Sequence, residues 1–160
     1  MLLKSILPDI CVFGGLSDEA LDKVSSLMEQ VSFEENELIA REDEIAQSLY
    51  VIAKGRCAIT ATLGQNCTPY DIAEVGPGDC VGEMSFIDMQ ARGANIRALT
   101  PVTLFSLATS DFMNIYAWDP EVYTIILSNI ARELSRRLRE ANHKLIKHAM
   151  GRDADESNNK

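Results

Sequence analysis

The sequence predicts a mainly β domain, a sandwich or barrel of short strands with flanking helices, that ends in one long helix. Three observations carry this. From about residue 30 to 107, short runs of Val, Ile and Leu alternate with Gly, Asn, Asp and Pro. On either side of that stretch, apolar residues recur every three or four positions instead. After Pro120, neither Gly nor Pro appears until Gly151.

The elements follow in order. Ser17 is a good N-cap, and Ala20, Leu21, Val24, Leu27 and Met28 follow at helical spacing, so a helix is expected over about 18–28. Strands are expected at Gln30–Phe33, Leu38–Ala40, Ser48–Lys54, Arg56–Leu63, Tyr70–Val75, Cys80–Val81, Ala94–Ala98 and Val102–Leu107. Turn signals separate them: Glu35-Asn36, Lys54-Gly55, Gly64-Gln65-Asn66, Gly76-Pro77-Gly78-Asp79 and Thr100-Pro101. So many short strands at close spacing fit a sandwich or barrel rather than a parallel α/β sheet. Ser110-Asp111 is read as the cap of a short helix over 111–117. Asp119-Pro120 then starts a helix over about 120–149, with Asp as N-cap and Pro at the first helical position. Residues 1–150 read as one domain, and the polar stretch 151–160 as a disordered tail.

Composition narrows the function. The 160 residues carry a formal net charge of −9, which disfavours a general nucleic-acid surface or docking on anionic membranes. The apolar start Met1–Leu7 is broken by Lys4 and stopped by Pro8, too short for a signal or a membrane span, so a cytoplasmic protein is expected. Cys11, Cys57, Cys67 and Cys80 form no CxxC pair and read as reduced core or strand cysteines. No nucleophile–base constellation, GxSxG or HExxH is present, and His143 and His148 do not share a helical face. An enzyme and a metal site are therefore not expected, nor is a cofactor.

The most informative stretch is Gly76–Ala98, GPGDCVGEMSFIDMQARGANIRA. A tight turn feeds a strand, Gly82-Glu83 opens a short helical turn over Met84–Ile87, and Arg92-Gly93-Ala94 leads into the next strand. This combination suits an anion. A helix start offers unpaired N–H groups, glycines permit close backbone approach, and Arg92 can donate a two-pronged, charge-assisted hydrogen bond. Glu83 is the odd member, since a carboxylate repels a phosphate unless it serves another group. A sugar hydroxyl would suit it. Arg92 and Glu83 could equally form an ordinary ion pair with each other.

Gly82-Glu83-Met84-Ser85-Phe86-Ile87, with Arg92 at the matching spacing, resembles the phosphate-binding cassette of the cyclic nucleotide-binding domain family. Leu49-Tyr50-Val51-Ile52-Ala53-Lys54-Gly55 is similar to that family's strand and turn, and the order of helix, strands, short helix and long helix matches over nearly the whole chain. The resemblance implies a double-stranded β-helix, jelly-roll-like barrel with a long C-terminal dimerisation helix. It implies that the Arg92 position grips a cyclic phosphate, that Glu83 accepts from the ribose 2′-hydroxyl, and that Gly82, Met84, Ser85, Gly93 and Ala94 complete that shell. Val81, Ile59, Ile72 and Ala73 would line the sugar and base side. The sequence departs from the pattern at three places. Ala91 stands where the family has Pro. Gly93 has no hydroxyl of the kind that contacts guanine, so cAMP is favoured over cGMP. Asn95 replaces Ser or Thr.

In the last helix, Leu127, Ala131, Leu134, Leu138, Ala141, Leu145 and His148 are spaced by four and three in turn. That is a heptad seam, which points to a two-fold homodimer. Ile126 and Ile130 widen the stripe toward the chain's own barrel. Arg136–Leu145 also resembles the dimer helix of the catabolite activator branch of the family, with Asn142 at the position that reaches the nucleotide base. Asn142 reads as well as an exposed polar residue. The basic residues of this helix are expected on a solvated face. Direct DNA binding would need a helix-turn-helix after the long helix, for which the ten residues from Gly151 leave no room. The expected function is thus a non-enzymatic cyclic-nucleotide sensor acting on an effector the sequence does not name; the alternative is a dimeric scaffold of the same fold with no ligand.

Overall fold

The computed structural model describes residues 6–45, 48–62 and 68–157, without the side chains of 148 and 151–157. Leu63, the turn at 64–66, Cys67, residues 158–160 and the side chain of His148 lie outside this description.

Among the described residues, eight strands form two four-stranded antiparallel sheets. They are β1 (Glu29–Phe33), β2 (Leu38–Ala40), β3 (Ser48–Lys54), β4 (Cys57–Ala61), β5 (Tyr70–Val75), β6 (Cys80–Val81), β7 (Asn95–Ala98) and β8 (Val102–Ala108). One sheet has the order β1-β8-β3-β6 and the other β2-β7-β4-β5. The result is a jelly-roll of two facing sheets. Gly55 makes the tight β3–β4 turn at φ 85°, and a Cβ there would run into Pro101 O and Val102.

Strands β3 and β8 carry buried apolar residues on both faces. Ile52, Val102 and Leu104 join Ile39, Cys57, Val81, Ile96 and Ala98 between the sheets. Leu49, Val51, Phe105 and Leu107 face the other way, into a second core built with the helices.

Among the described residues, four α-helices surround that second core: α1 (Asp18–Ser26), α2 (Glu83–Asp88), α3 (Thr109–Trp118) and α4 (Pro120–Ser157). Ser17 caps α1 by accepting from Ala20 N at 3.2 Å. Asp119 caps α4, its Oδ1 accepting from the N–H groups of Glu121 and Val122 at 3.1 Å each. Ser110-Asp111 does not cap α3. That helix starts at Thr109, straight out of β8, with Ala108 as its N-cap and no side-chain cap bond. Ala108 is still paired with Ser48 in the sheet, so the strand itself aims the chain into the helix.

Helix α4 continues through Gly151 to Ser157, beyond the expected end at 149 and into the stretch read as a tail. One Gly costs a helix interior only about 1 kcal/mol relative to Ala, and no Pro follows to stop it. Ile126 and Ile130 are buried in the helical core, with Leu127 and Leu134 packed at its margin. From Leu138 to Lys147 the helix is exposed, with Leu138 at 62% and Leu145 at 68%. Cys57 and Cys80 are buried, as expected of core cysteines, but Cys11 is exposed, because it lies in a 3-10 turn at the edge of α4. Burial pushes the Cys57 thiol up to about 11 and Cys80 well above its ordinary value. No helix among the described residues is long and apolar enough to cross a membrane.

Candidate functional site

The turn Gly76–Asp79 sets up the site. Asp79 N donates to Gly76 O at 3.0 Å, and Gly76 N donates to the Asp79 carboxylate at 2.8 Å. The chain then runs through β6, paired with β3 at Tyr50 and Val51, and turns at Gly82 into α2. Gly82 has φ 85° and lies under the Arg92 side chain. A Cβ there would fall on Arg92 Nη1 and stand 2.9 Å from Ser48 O, so only glycine admits the arginine.

Arg92 is 3% exposed. Its Nη1 donates to Ser85 Oγ at 2.8 Å and to Gly82 O at 3.0 Å, and its Nη2 donates to Ser48 O at 2.7 Å. Its Nε is buried without a hydrogen-bond partner. The guanidinium carbon lies 5.5 Å from the centre of the Tyr50 ring. Burial lowers the arginine's pKa, opposed by Tyr50, Glu83 and Glu44. Its loop is pinned by main-chain bonds: Arg92 N donates to Glu44 O at 2.9 Å and Asp43 N to Arg92 O at 2.8 Å. Ala91 forms a bridge with Ile45. The loop that carries Ala91 is thus held by pairing to the 43–45 segment. Asn95 serves the same frame, its Oδ1 accepting from Glu42 N at 3.1 Å.

Glu83 is 5% exposed, yet its partner is not Arg92. Arg137, from the long helix, donates through Nη1 to Glu83 Oε1 at 2.6 Å and through Nη2 to Cys80 O at 2.7 Å. Glu133 accepts from Arg137 Nε at 2.8 Å. Burial works against the charge of Arg137, but Glu83 and Glu133 outweigh it and its pKa rises. Glu83 Oε2 makes no hydrogen bond among the described residues.

The structure thus brings Gly82, Glu83, Ser85 and Arg92 together. Ser85 is itself occupied, since its hydroxyl donates to Gly82 O at 3.3 Å while accepting from Arg92. Met84 points away, at 62% exposure, and Val81 is buried between the sheets. Gly93 is exposed and Ala94 half-buried at the entry to β7; a Cβ on Gly93 would meet nothing within 4 Å. Ile59 lies on β4 between Ala73 and Ile96, in the sheet that the Arg92 loop enters. Ala73 and Ile72 are exposed on β5, Ile72 at an irregularity in the β4–β5 pairing. Asn142 is exposed on α4.

Sequence reasoning missed Arg137, which was placed on a solvated basic face. A signal existed. Ile126, Ile130, Glu133 and Arg137 follow at gaps of four, three and four, so the arginine extends the buried stripe. Among the described residues, no group of His, Cys, Asp and Glu is placed to hold a metal ion.

The model of the cyclic nucleotide-binding domain matches residues 30–119. The chain belongs to the cyclic nucleotide-binding domain family. The cyclic AMP receptor protein of Thermus thermophilus is 31% identical over 136 residues, 84% of this chain and 60% of that relative. The crystal structure of the Thermus thermophilus catabolite activator protein superposes with a TM-score of 0.74 at 29% identity, covering 84% of this chain and 61% of that one. A cyclic nucleotide-binding domain from Methylobacillus flagellatus shares the fold, with a TM-score of 0.81 at 24% identity over 91% of this chain and 81% of its own. This cyclic nucleotide-binding domain therefore spans about 60% of the length of the Thermus relatives.

Proposed function

We propose that the chain is a non-enzymatic sensor that binds a cyclic nucleotide, cAMP in preference to cGMP, and signals through α4 as a homodimer to an effector protein. The observation that carries this is the buried Arg92, whose Nε has no partner in a glycine-lined setting. A buried donor left unpaired is costly, and a cyclic phosphate supplies the acceptor it lacks. Glu83 stands beside it with Oε2 available to a ribose 2′-hydroxyl. The space at Gly93 leaves no hydroxyl for guanine, which supports adenine. The cytoplasm is the compartment in which such a sensor would act.

The dimer is proposed along Leu127, Ala131, Leu134, Leu138, Ala141 and Leu145. Leu127 and Leu134 already rest on the domain's own core, so the seam would close chiefly through Leu138 and Leu145. Asn142 of one copy would then be free to reach the other copy's ligand.

A second reading has an observation in its favour. Both Nη atoms of Arg92 are satisfied internally, by Gly82 O, Ser85 Oγ and Ser48 O, as in a ligand-free scaffold of the same fold. Thermal unfolding with cAMP, cGMP and linear AMP separates the two. A ligand at a hundred times its Kd adds about 2.7 kcal/mol, roughly 5–10 °C here. The sensor shows that rise with cAMP, a smaller one with cGMP and none with AMP. No shift at millimolar cAMP leaves the scaffold.

A further inference from the structure

Glu133 stands one helical turn before Arg137 and makes no hydrogen bond to the cassette among the described residues, yet it is the third acceptor of that guanidinium. Arg137 spends Nη1 on Glu83, Nη2 on Cys80 O and Nε on Glu133 Oε1. The Glu133 side chain is 10% exposed. Its Oε2 accepts from the Cys11 thiol at 3.8 Å and from Arg136 Nε at 2.8 Å. One residue-turn earlier, Asn129 Nδ2 donates to Val12 O at 3.1 Å and Gly14 O at 2.8 Å. The N-terminal turns are thereby held against the same stretch of α4.

A guanidinium is planar, and its donors form a fixed fork. Fixing Nε fixes the plane, and with it the direction in which Nη1 meets Glu83. We propose that Glu133 is a positioning residue for sugar recognition: by orienting Arg137 it keeps Glu83 Oε1 engaged and Oε2 presented to the ligand's 2′-hydroxyl. This rests on the nucleotide reading above. Arg136 also donates to both oxygens of Glu133, but it is exposed, and among the described residues no bond joins it to Glu83 or Cys80.

The test is the ratio of affinities for cAMP and 2′-deoxy-cAMP, measured by calorimetry on the whole chain. The parent should prefer cAMP by roughly tenfold or more, the scale of a hydrogen bond to a charged group. Glu133→Ala should bring that preference to about threefold or less and leave the 2′-deoxy affinity within about twofold of the parent. Glu133→Gln keeps an acceptor for Arg137 Nε and should fall between. A general loss of structure would weaken both nucleotides alike. Equal losses in Glu133→Ala and Glu133→Gln, or an unaltered preference in both, overturn the proposal while the parent's own preference keeps Glu83 in its role. A parent with no preference overturns the role of Glu83 and this proposal together, and a parent that binds neither nucleotide overturns the nucleotide reading itself.

Discussion

The two charged groups of the site are held in different ways. Arg92 is fixed from within the β-sheet domain, by carbonyls of Ser48 and Gly82, a hydroxyl ten residues or fewer away in the cassette, and the 43–45 segment. Glu83 is fixed from outside it, by Arg137 on the long helix, 54 positions along the chain. The arginine therefore belongs to the frame of the β-sheet domain itself, although Ser48 lies 44 positions away along the chain. The glutamate reports on where α4 lies. A ligand that touches both groups would link the sheets to the helix, through the Glu83–Arg137 ion pair and the Arg137 bond to Cys80 O.

The largest way to break this arrangement is at Gly82, which serves both sides. Its carbonyl holds Arg92, and it precedes Glu83 directly. Gly82→Ala adds left-handed strain of about 1–3 kcal/mol and a Cβ on the guanidinium. Calorimetric melting should fall by roughly 3–10 °C, and nucleotide binding should be lost. Gly78 is the control, since its φ is 93° but a Cβ there meets nothing within 4 Å. Gly78→Ala should cost less stability and keep binding.

A narrower break is Leu138→Asp with Leu145→Asp. Both side chains are exposed on the free half of α4, so the fold should keep its melting temperature within a few degrees. Facing carboxylates in an apolar seam should yield monomers in sedimentation. If a dimer persists, the seam runs elsewhere.

The smallest effect is on acid stability. Glu133 is lowered to about 2, first by its hydrogen bond to Arg136 and then, against desolvation, by Arg137. A carboxyl depressed in the folded state adds stability above its unfolded pKa of about 4.5 and loses it as pH falls toward 2. Glu133→Gln should flatten the fall in melting temperature between pH 4.5 and 2 and change little at pH 7. An identical acid profile would mean that the bond to Arg136 is too exposed to matter.

Periodicity and motif made one part of this arrangement legible in the sequence and left another part hidden. The strands could be read because β3 and β8 alternate between two cores and the turns carry Gly and Pro. Residue pattern alone predicts Leu49 and Val51 on one face and Ile52 near the other. The cassette could be read because its glycines, Glu83 and Arg92 lie within eleven residues of one another. The partner of Glu83 could not be found by proximity in sequence, and charge misled, since Arg137 sits among Arg132, Arg136 and Arg139. Only its place on the buried stripe distinguishes it from them. The end of α4 and the start of α3 were misplaced for a related reason. Both were judged from single residues, Gly151 and Ser110, where the continuing helix and the incoming strand decide.

The central claim is that Arg92 holds a cyclic phosphate in a site with Glu83 beside it. Calorimetric titration of cAMP into the parent and into Arg92→Ala tests it most directly. The account predicts one site per chain in the parent and a loss of roughly 10–100-fold in Arg92→Ala, the scale of a charged hydrogen bond, with Arg92→Lys recovering part because it keeps the charge but not the fork. An Arg92→Ala isotherm that matches the parent's would contradict it.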